Sequence, residues 1–224
     1  MQNNKIQYLS LLLILLLLIP DRSFSQDVEQ SYPKQIGIGL KSGITSSLID
    51  VGIPVQQMSS TFVPTVGFIF TYIHAKTVGI QLEANYISKS WEENPISDYT
   101  FNTKLNYIEI PMLTTLHFGN RFKFLINFGP YISILLHEES SHNIAQESDY
   151  YPFYENRTAR KGDFGMTGGA GFRLQTKIGL FQIEGRYTYG FQNVYDVDAS
   201  NLDYSNLKTM AFYLSYQFSF SDDY

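Results

Sequence analysis

KGDFGMTGGAGFRLQTKIGLFQIEGRYTYGF, residues 161–191, reads at period two as two strands joined by a short turn at 176–179. On the first strand Phe164, Met166, Gly168, Ala170, Phe172 and Leu174 share one face, opposite Gly165, Thr167, Gly169, Gly171 and Arg173. On the second, Phe181, Ile183, Gly185, Tyr187, Tyr189 and Phe191 stand opposite Gln182, Glu184, Arg186, Thr188 and Gly190. Side chains alternate across a strand, so each strand has one apolar face and one face of glycine and charge. A solvated surface has little use for glycines set between large ions. The crowded polar lumen of a small barrel does, and its apolar face then meets lipid. A turn centred near 176–178 sets Glu184 across from Gly171 and Arg186 across from Gly169, where glycine clears room for the long side chains.

The rest of the chain repeats this rhythm. Strands are expected at about 35–44, 62–73, 77–90, 102–117, 122–136 and 207–220, which with the two above makes eight. Their connections alternate long and short, the long ones running over 45–61, 91–101, 137–160 and 192–206. That asymmetry, an even strand count and strand lengths of about 9 to 16 residues, enough for tilted spans, predict an eight-stranded, all-β, antiparallel up-and-down transmembrane barrel. The short turns carry Lys76, Arg121 and Lys177. The long connections carry Glu92, Glu93, Asp98, Glu138, Glu139, Glu147, Asp149, Asp196, Asp198 and Asp203. Pro64, Pro111 and Pro130 fall inside the strands, where each removes a ladder hydrogen bond, so each calls for a bulge or a shifted boundary.

Residues 1–25 have the layout of a secretory signal: Lys5, an apolar run over 9–19, Pro20, then Ser23 and Ser25 before a cleavage point ahead of Gln26. The apolar run is too short for a spanning helix. A cleaved leader, a single barrel domain over 26–224 and an outer-membrane location are expected. The chain has no cysteine, which excludes disulfides, thiolate metal sites and an N-terminal lipoprotein anchor. Its 16 basic and 21 acidic residues give a net charge of −5, and setting aside Lys5, Arg22 and Asp21 leaves 14 and 20. That balance speaks against nucleic acid as a partner.

Three segments, YIEIPML (107–113), FGPYISILL (128–136) and GDFGMTGGAGFRL followed by IEGRYTYGFQNV (162–174 and 183–194), occur in this order and spacing. Through them the chain resembles the PorT-like outer-membrane β-barrel proteins of the Bacteroidetes. The resemblance implies an eight-stranded barrel of monomeric scale in a Gram-negative outer membrane. One namesake serves a protein-secretion and gliding apparatus; the family supplies no catalytic residues to carry over.

The expected lumen ions are Lys41, Glu83, Lys89, Glu109, Arg173, Glu184 and Arg186. Buried ions must pair, so Glu83, Glu109 and Glu184 are each expected near a Lys or Arg, as a salt-bridge network that plugs the barrel. In the longest connection, His137, Glu138, Glu139 and His142 read as a solvated charge run rather than a metal site. Tyr150, Tyr151, Phe153 and Tyr154 either rest on the membrane rim or form a candidate outer contact patch. Ser140 and Ser141 flank the histidines, yet adjacency alone does not build a catalytic triad, so no enzyme activity and no cofactor is expected. The expected partners are outer-membrane lipid, lipopolysaccharide and another envelope protein met through the outer loops. A narrow channel, or a subunit of a transport apparatus, is the second functional reading. A soluble barrel carrying a small ligand is the third, and it would need the two faces inverted.

Overall fold

The computed structural model describes residues 34–51, 57–94, 100–143, 157–195 and 204–221. The leader and the Tyr150, Tyr151, Phe153 and Tyr154 patch lie outside them. Among the described residues nine strands form one antiparallel sheet: β1 (Gln35–Val51), β2 (Gln57–Ser60), β3 (Val63–Ile73), β4 (Val78–Asn94), β5 (Phe101–Gly119), β6 (Phe122–His142), β7 (Gly162–Thr176), β8 (Gly179–Gly190) and β9 (Ser205–Ser221). The sheet closes, because β1 pairs with β9 from Gln35↔Ser221 to Val51↔Ser205 and β4 pairs with β5. Through the belt, among the described residues, each strand is paired on both sides, which is the condition for crossing a bilayer with strands.

Nine strands make eight staves. Both β2 and β3 pair with β4, with Ser60 opposite Trp91 and Val66 opposite Tyr86. Five residues (61–65) therefore stand against four (87–90), a bulge that divides one stave into two strands. The β7–β8 register sets Gly169 against Arg186 and Gly171 against Glu184, the pairing read from the sequence. Short turns join β3 to β4, β5 to β6 and β7 to β8, and positive φ angles fall at Gly119 (115°) and Gly179 (141°). Only glycine enters that region without strain.

All three prolines sit inside strands, and neither a bulge nor a boundary explains two of them. Pro111 pairs with Tyr131, while the β4–β5 ladder passes from Leu82↔Met112 to Asn85↔Glu109 in unchanged register. The β5–β6 ladder likewise passes from Pro111↔Tyr131 to Thr114↔Phe128, skipping the position of Pro130. The strands run straight through and the ladder lapses locally on the side that lacks the N–H. Pro64 pairs with Ile44 of β1, beyond the last β3–β4 pair.

Strand lengths correct the sequence reading more strongly. The strands β1, β4, β5 and β6 run to 17, 17, 19 and 21 residues, past the roughly 9–11 that a bilayer requires. Segments expected as loops, at 45–51, 91–94 and 137–142, are strand. Near the short turns the outward face is apolar: Ile36, Ile38, Leu40, Val66, Phe68, Ile80, Leu82, Met112, Phe124, Ile126, Phe212, Leu214, Phe218 and Phe220 are all exposed. Beyond this belt the polarity inverts. On β4, Ile87, Lys89, Trp91 and Glu93 point inward and are buried, while Ser90, Glu92 and Asn94 point outward. On β5, Phe101, Leu105 and Tyr107 are buried, and Asn102 and Lys104 face out. The strands thus leave lipid and continue as a water-facing barrel with an apolar interior.

Candidate functional site: the filled lumen and its outer cap

Among the described residues the buried interior holds six cations (Lys41, Lys89, Lys123, Arg157, Arg173, Arg186) and five carboxylates (Glu83, Glu93, Glu109, Asp163, Glu184). Alternation puts all but Arg157 there: each of the other ten lies on the inward face of its strand, whereas Arg157 precedes β7 and folds in over the mouth, and the barrel wall removes them from bulk water.

The central group is built by β1, β4 and β8. Glu83 accepts from Lys41 Nζ at 2.7 Å and from Arg186 Nη1 and Nη2 at 2.8 Å each. Gln81 and Asn85, two residues to either side, donate to the same carboxylate at 2.6 and 2.9 Å. Arg186 also donates to Glu184 Oε1 through Nε at 3.0 Å and Nη2 at 2.8 Å. The Tyr213 ring lies against both cations, 3.5 Å from Lys41 Nζ and 5.0 Å from the Arg186 guanidinium. The glycines opposite serve this group directly. A Cβ on Gly169 would stand 2.9 Å from Glu184 Oε1.

Toward the outer end, Lys89 sits 3.4 Å from both Glu109 Oε2 and Asp163 Oδ2, and Tyr131 donates to Asp163 at 2.8 Å. Toward the short turns, Arg173 donates to Gln182 Oε1 at 2.6 and 2.9 Å and reaches across to Gln81 Oε1 at 3.3 Å. Of the seven ions named from the sequence, Lys41, Glu83, Glu184 and Arg186 form one network, Lys89 and Glu109 a second, and Arg173 rests on neutral amides. Asp163 belongs with them and was missed. It continues the inward face of β7 one step before Phe164, where the strand was expected to begin.

The outer mouth is closed by residues the sequence left in loops. Glu93, counted above among acidic loop residues, is fully buried. Arg157 Nη1 donates to its two oxygens at 2.8 and 3.0 Å, and Trp91 Nε1 donates to Oε1 at 3.0 Å. The Arg157 guanidinium lies between the Phe101 and Tyr195 rings, 5.1 Å from each centroid. Ile49, Val51, Ile87, Trp91, Leu105, Tyr107, Ala159, Val194, Tyr195 and Leu207 pack as one apolar cluster around this ion pair. Backbone bonds tie the returning segments down: Arg160 N donates to Val194 O, and Val194 N to Ser205 O, both at 2.7 Å. Removing one partner of a buried ion pair leaves an unpaired charge. Arg157→Met is therefore expected to loosen the cap, seen as cleavage by an added protease within 143–160 that is about tenfold faster or more, while the barrel keeps its gel mobility. Unchanged cleavage would show that the ion pair does not hold the cap.

The acid–histidine run lies on β6 rather than in a loop. Its side chains diverge: Glu138 accepts from Ala159 N at 3.0 Å, His137 Nε2 meets Glu139 at 3.3 Å, and His142 stacks on Phe101. Among the described residues no three His, Asp or Glu side chains converge on a metal-sized site.

A closed antiparallel sheet with a lipid-facing belt and an ion-filled interior defines an outer-membrane-type barrel. The model of the outer membrane protein beta-barrel domain matches residues 24–196, and the chain belongs to that family. No curated protein matches the sequence. Among solved structures the chain is similar to Ail, the attachment invasion locus protein of Yersinia pestis, at 12% identity and a TM-score of 0.42, covering 84% of this chain and 100% of that one. It is also similar to Outer Membrane Protein W of E. coli (13%, 0.42, covering 85% and 100%) and to the E. coli outer membrane protease OmpT (10%, 0.43, covering 86% and 97%). These overlaps are partial, and the closure of the sheet stands on its own hydrogen bonds.

Proposed function

We propose that the protein is a non-enzymatic structural or binding element of the outer membrane that works through the loops carried above its sealed barrel. The observation behind this reading is the sequence of closures along the axis. The Arg157–Glu93 cap, the Lys89 group and the Lys41–Glu83–Arg186–Glu184 network each span the lumen with directly bonded side chains. Eight staves leave an interior only just wide enough for side chains, so each layer blocks the path. The same apolar cap fixes the bases of the outer loops, which suits presentation of the Tyr150, Tyr151, Phe153 and Tyr154 patch to another envelope protein or to lipopolysaccharide. The leader would be removed ahead of Gln26 during export. The three matching segments support a PorT-like protein, and a scaffold docked through its loops equally suits a subunit of a transport apparatus. An open channel, or a soluble carrier with an apolar lumen, would need a different interior.

In planar lipid bilayers the purified protein is expected to give no steady conductance steps. Deletion of residues 150–154 is expected to abolish capture of the envelope partner without altering barrel folding. Reproducible open-channel steps from the unmodified protein would overturn the sealed-barrel reading.

A further inference from the structure

We infer that the saddle between the β5–β6 and β7–β8 turns is a binding site for a phosphoryl group. A pocket of about 440 Å³ opens there, lined by Asn120, Arg121, Gln175, Thr176 and Lys177. Its two cations come from different turns and face one opening, and its lining contains no carboxylate. The frame is held in place. Gln175 N donates to Arg121 O at 2.9 Å, binding the two turns together. Thr176 Oγ1 donates to Gly179 O at 2.8 Å and accepts from Ile178 N at 3.3 Å, which sets the turn that carries Lys177.

The positive charge continues inward. Lys123 and Arg173 are direct cross-strand partners on β6 and β7, two residues inside the rim, and both are buried. Arg173 is held by the amide oxygens of Gln182 and Gln81, and its buried Nη1 has no hydrogen-bond partner. Its direct partners are neutral amides, and the carboxylate beyond them, Glu184, is already engaged by Arg186. A second charge close behind a low-dielectric wall raises the potential felt at the pocket mouth. An arginine fork with a lysine beside it suits the several oxygens of a phosphoryl group, whereas a planar carboxylate fills one fork. Two sources share this chemistry: a phospholipid headgroup of the adjoining leaflet and a soluble phosphate ester.

The inference rests on the barrel reading for placing these turns at the membrane's periplasmic face. The pocket itself can be tested in detergent, whichever way the barrel inserts. Inorganic pyrophosphate is titrated into the purified full chain while backbone amide shifts are followed. A second titration uses nanodiscs of uncharged glycolipid, with and without phosphatidylglycerol. Saturable shifts at 119–123 and 175–178 are expected, weakened about tenfold or more in the Arg121→Gln, Lys177→Gln double variant and unchanged in Lys76→Gln on the neighbouring turn. Response to pyrophosphate identifies a soluble ester, and response to phosphatidylglycerol alone identifies the headgroup. Both support the site. Because the substituted residues are exposed, folding is checked directly by gel mobility. No saturable shift with either probe, or equal weakening by Lys76→Gln, would overturn the site.

Discussion

Arg186→Met is expected to destabilise the barrel by about 3–5 kcal/mol, the usual penalty for stranding a buried charge. Arg186 is the shared cation of Glu83 and Glu184, donating to both with four side-chain hydrogen bonds of 2.8–3.0 Å. Methionine fills similar space and supplies no charge, so two carboxylates inside the wall would share Lys41 alone. An exposed pair of similar length makes the comparison. Lys208 and Asp50 approach to 2.6 Å with side chains 40% and 43% exposed, and Lys208→Met is expected to cost at most about 1 kcal/mol. Urea titration in detergent, read as the folded fraction on unheated gels, separates the two. Equal shifts for both variants would mean that the lumen network is not held as a desolvated unit.

The second large effect falls on the backbone. A Cβ built on Gly39 would lie 1.8 Å from Tyr216 O and 2.6 Å from Gln217 Cα, and one on Gly171 would lie 2.0 Å from Ile183 O. These are atoms of the neighbouring strand, which cannot move without parting the ladder. Gly39→Ala and Gly171→Ala are each expected to lose about 3 kcal/mol or more, at the upper end of overpacking. Gly168→Ala is expected to fold normally, since the nearest atom to its Cβ is Asn127 O at 3.8 Å. Gly39 and Gly171 lie on the inward face and Gly168 on the outward one, so glycine content alone would rank them alike while the space around each separates them. A matched loss of folded yield at Gly168 would refute the steric account.

The barrel was legible because lipid imposes one simple rule on the spanning part of every strand: apolar out, polar in. Glu184 and Arg186 opposite glycines followed from that rule and the turn position alone. The rule also set the limit. Above the belt, water replaces lipid outside and the alternation reverses, so Trp91, Ile49 and Leu207 point inward where Lys41 and Glu83 do lower down. A search for apolar-out strands stops at the reversal, which is why 45–51 and 91–94 read as loops; 137–142, HEESSH, is polar on both faces and carries no alternation to follow. Glu93 and Arg157 were hidden for a second reason: their partnership spans 64 residues and leaves no local pattern. Following period two past the reversal, with the faces exchanged, would have recovered Trp91 and, by parity, Glu93; Asp163 needed only one more step of the unreversed pattern before Phe164.

Which face of the wall meets lipid is the claim on which the rest depends, and β9 tests it cleanly. The chain has no cysteine, so single cysteines can be placed one at a time from Thr209 to Phe218 and spin-labelled in lipid nanodiscs. Relaxation by oxygen, which concentrates in lipid, is predicted to peak at 210, 212, 214 and 218 and to fall at 209, 211, 213, 215 and 217. Peaks at the odd positions, or no alternation, would contradict the barrel as described.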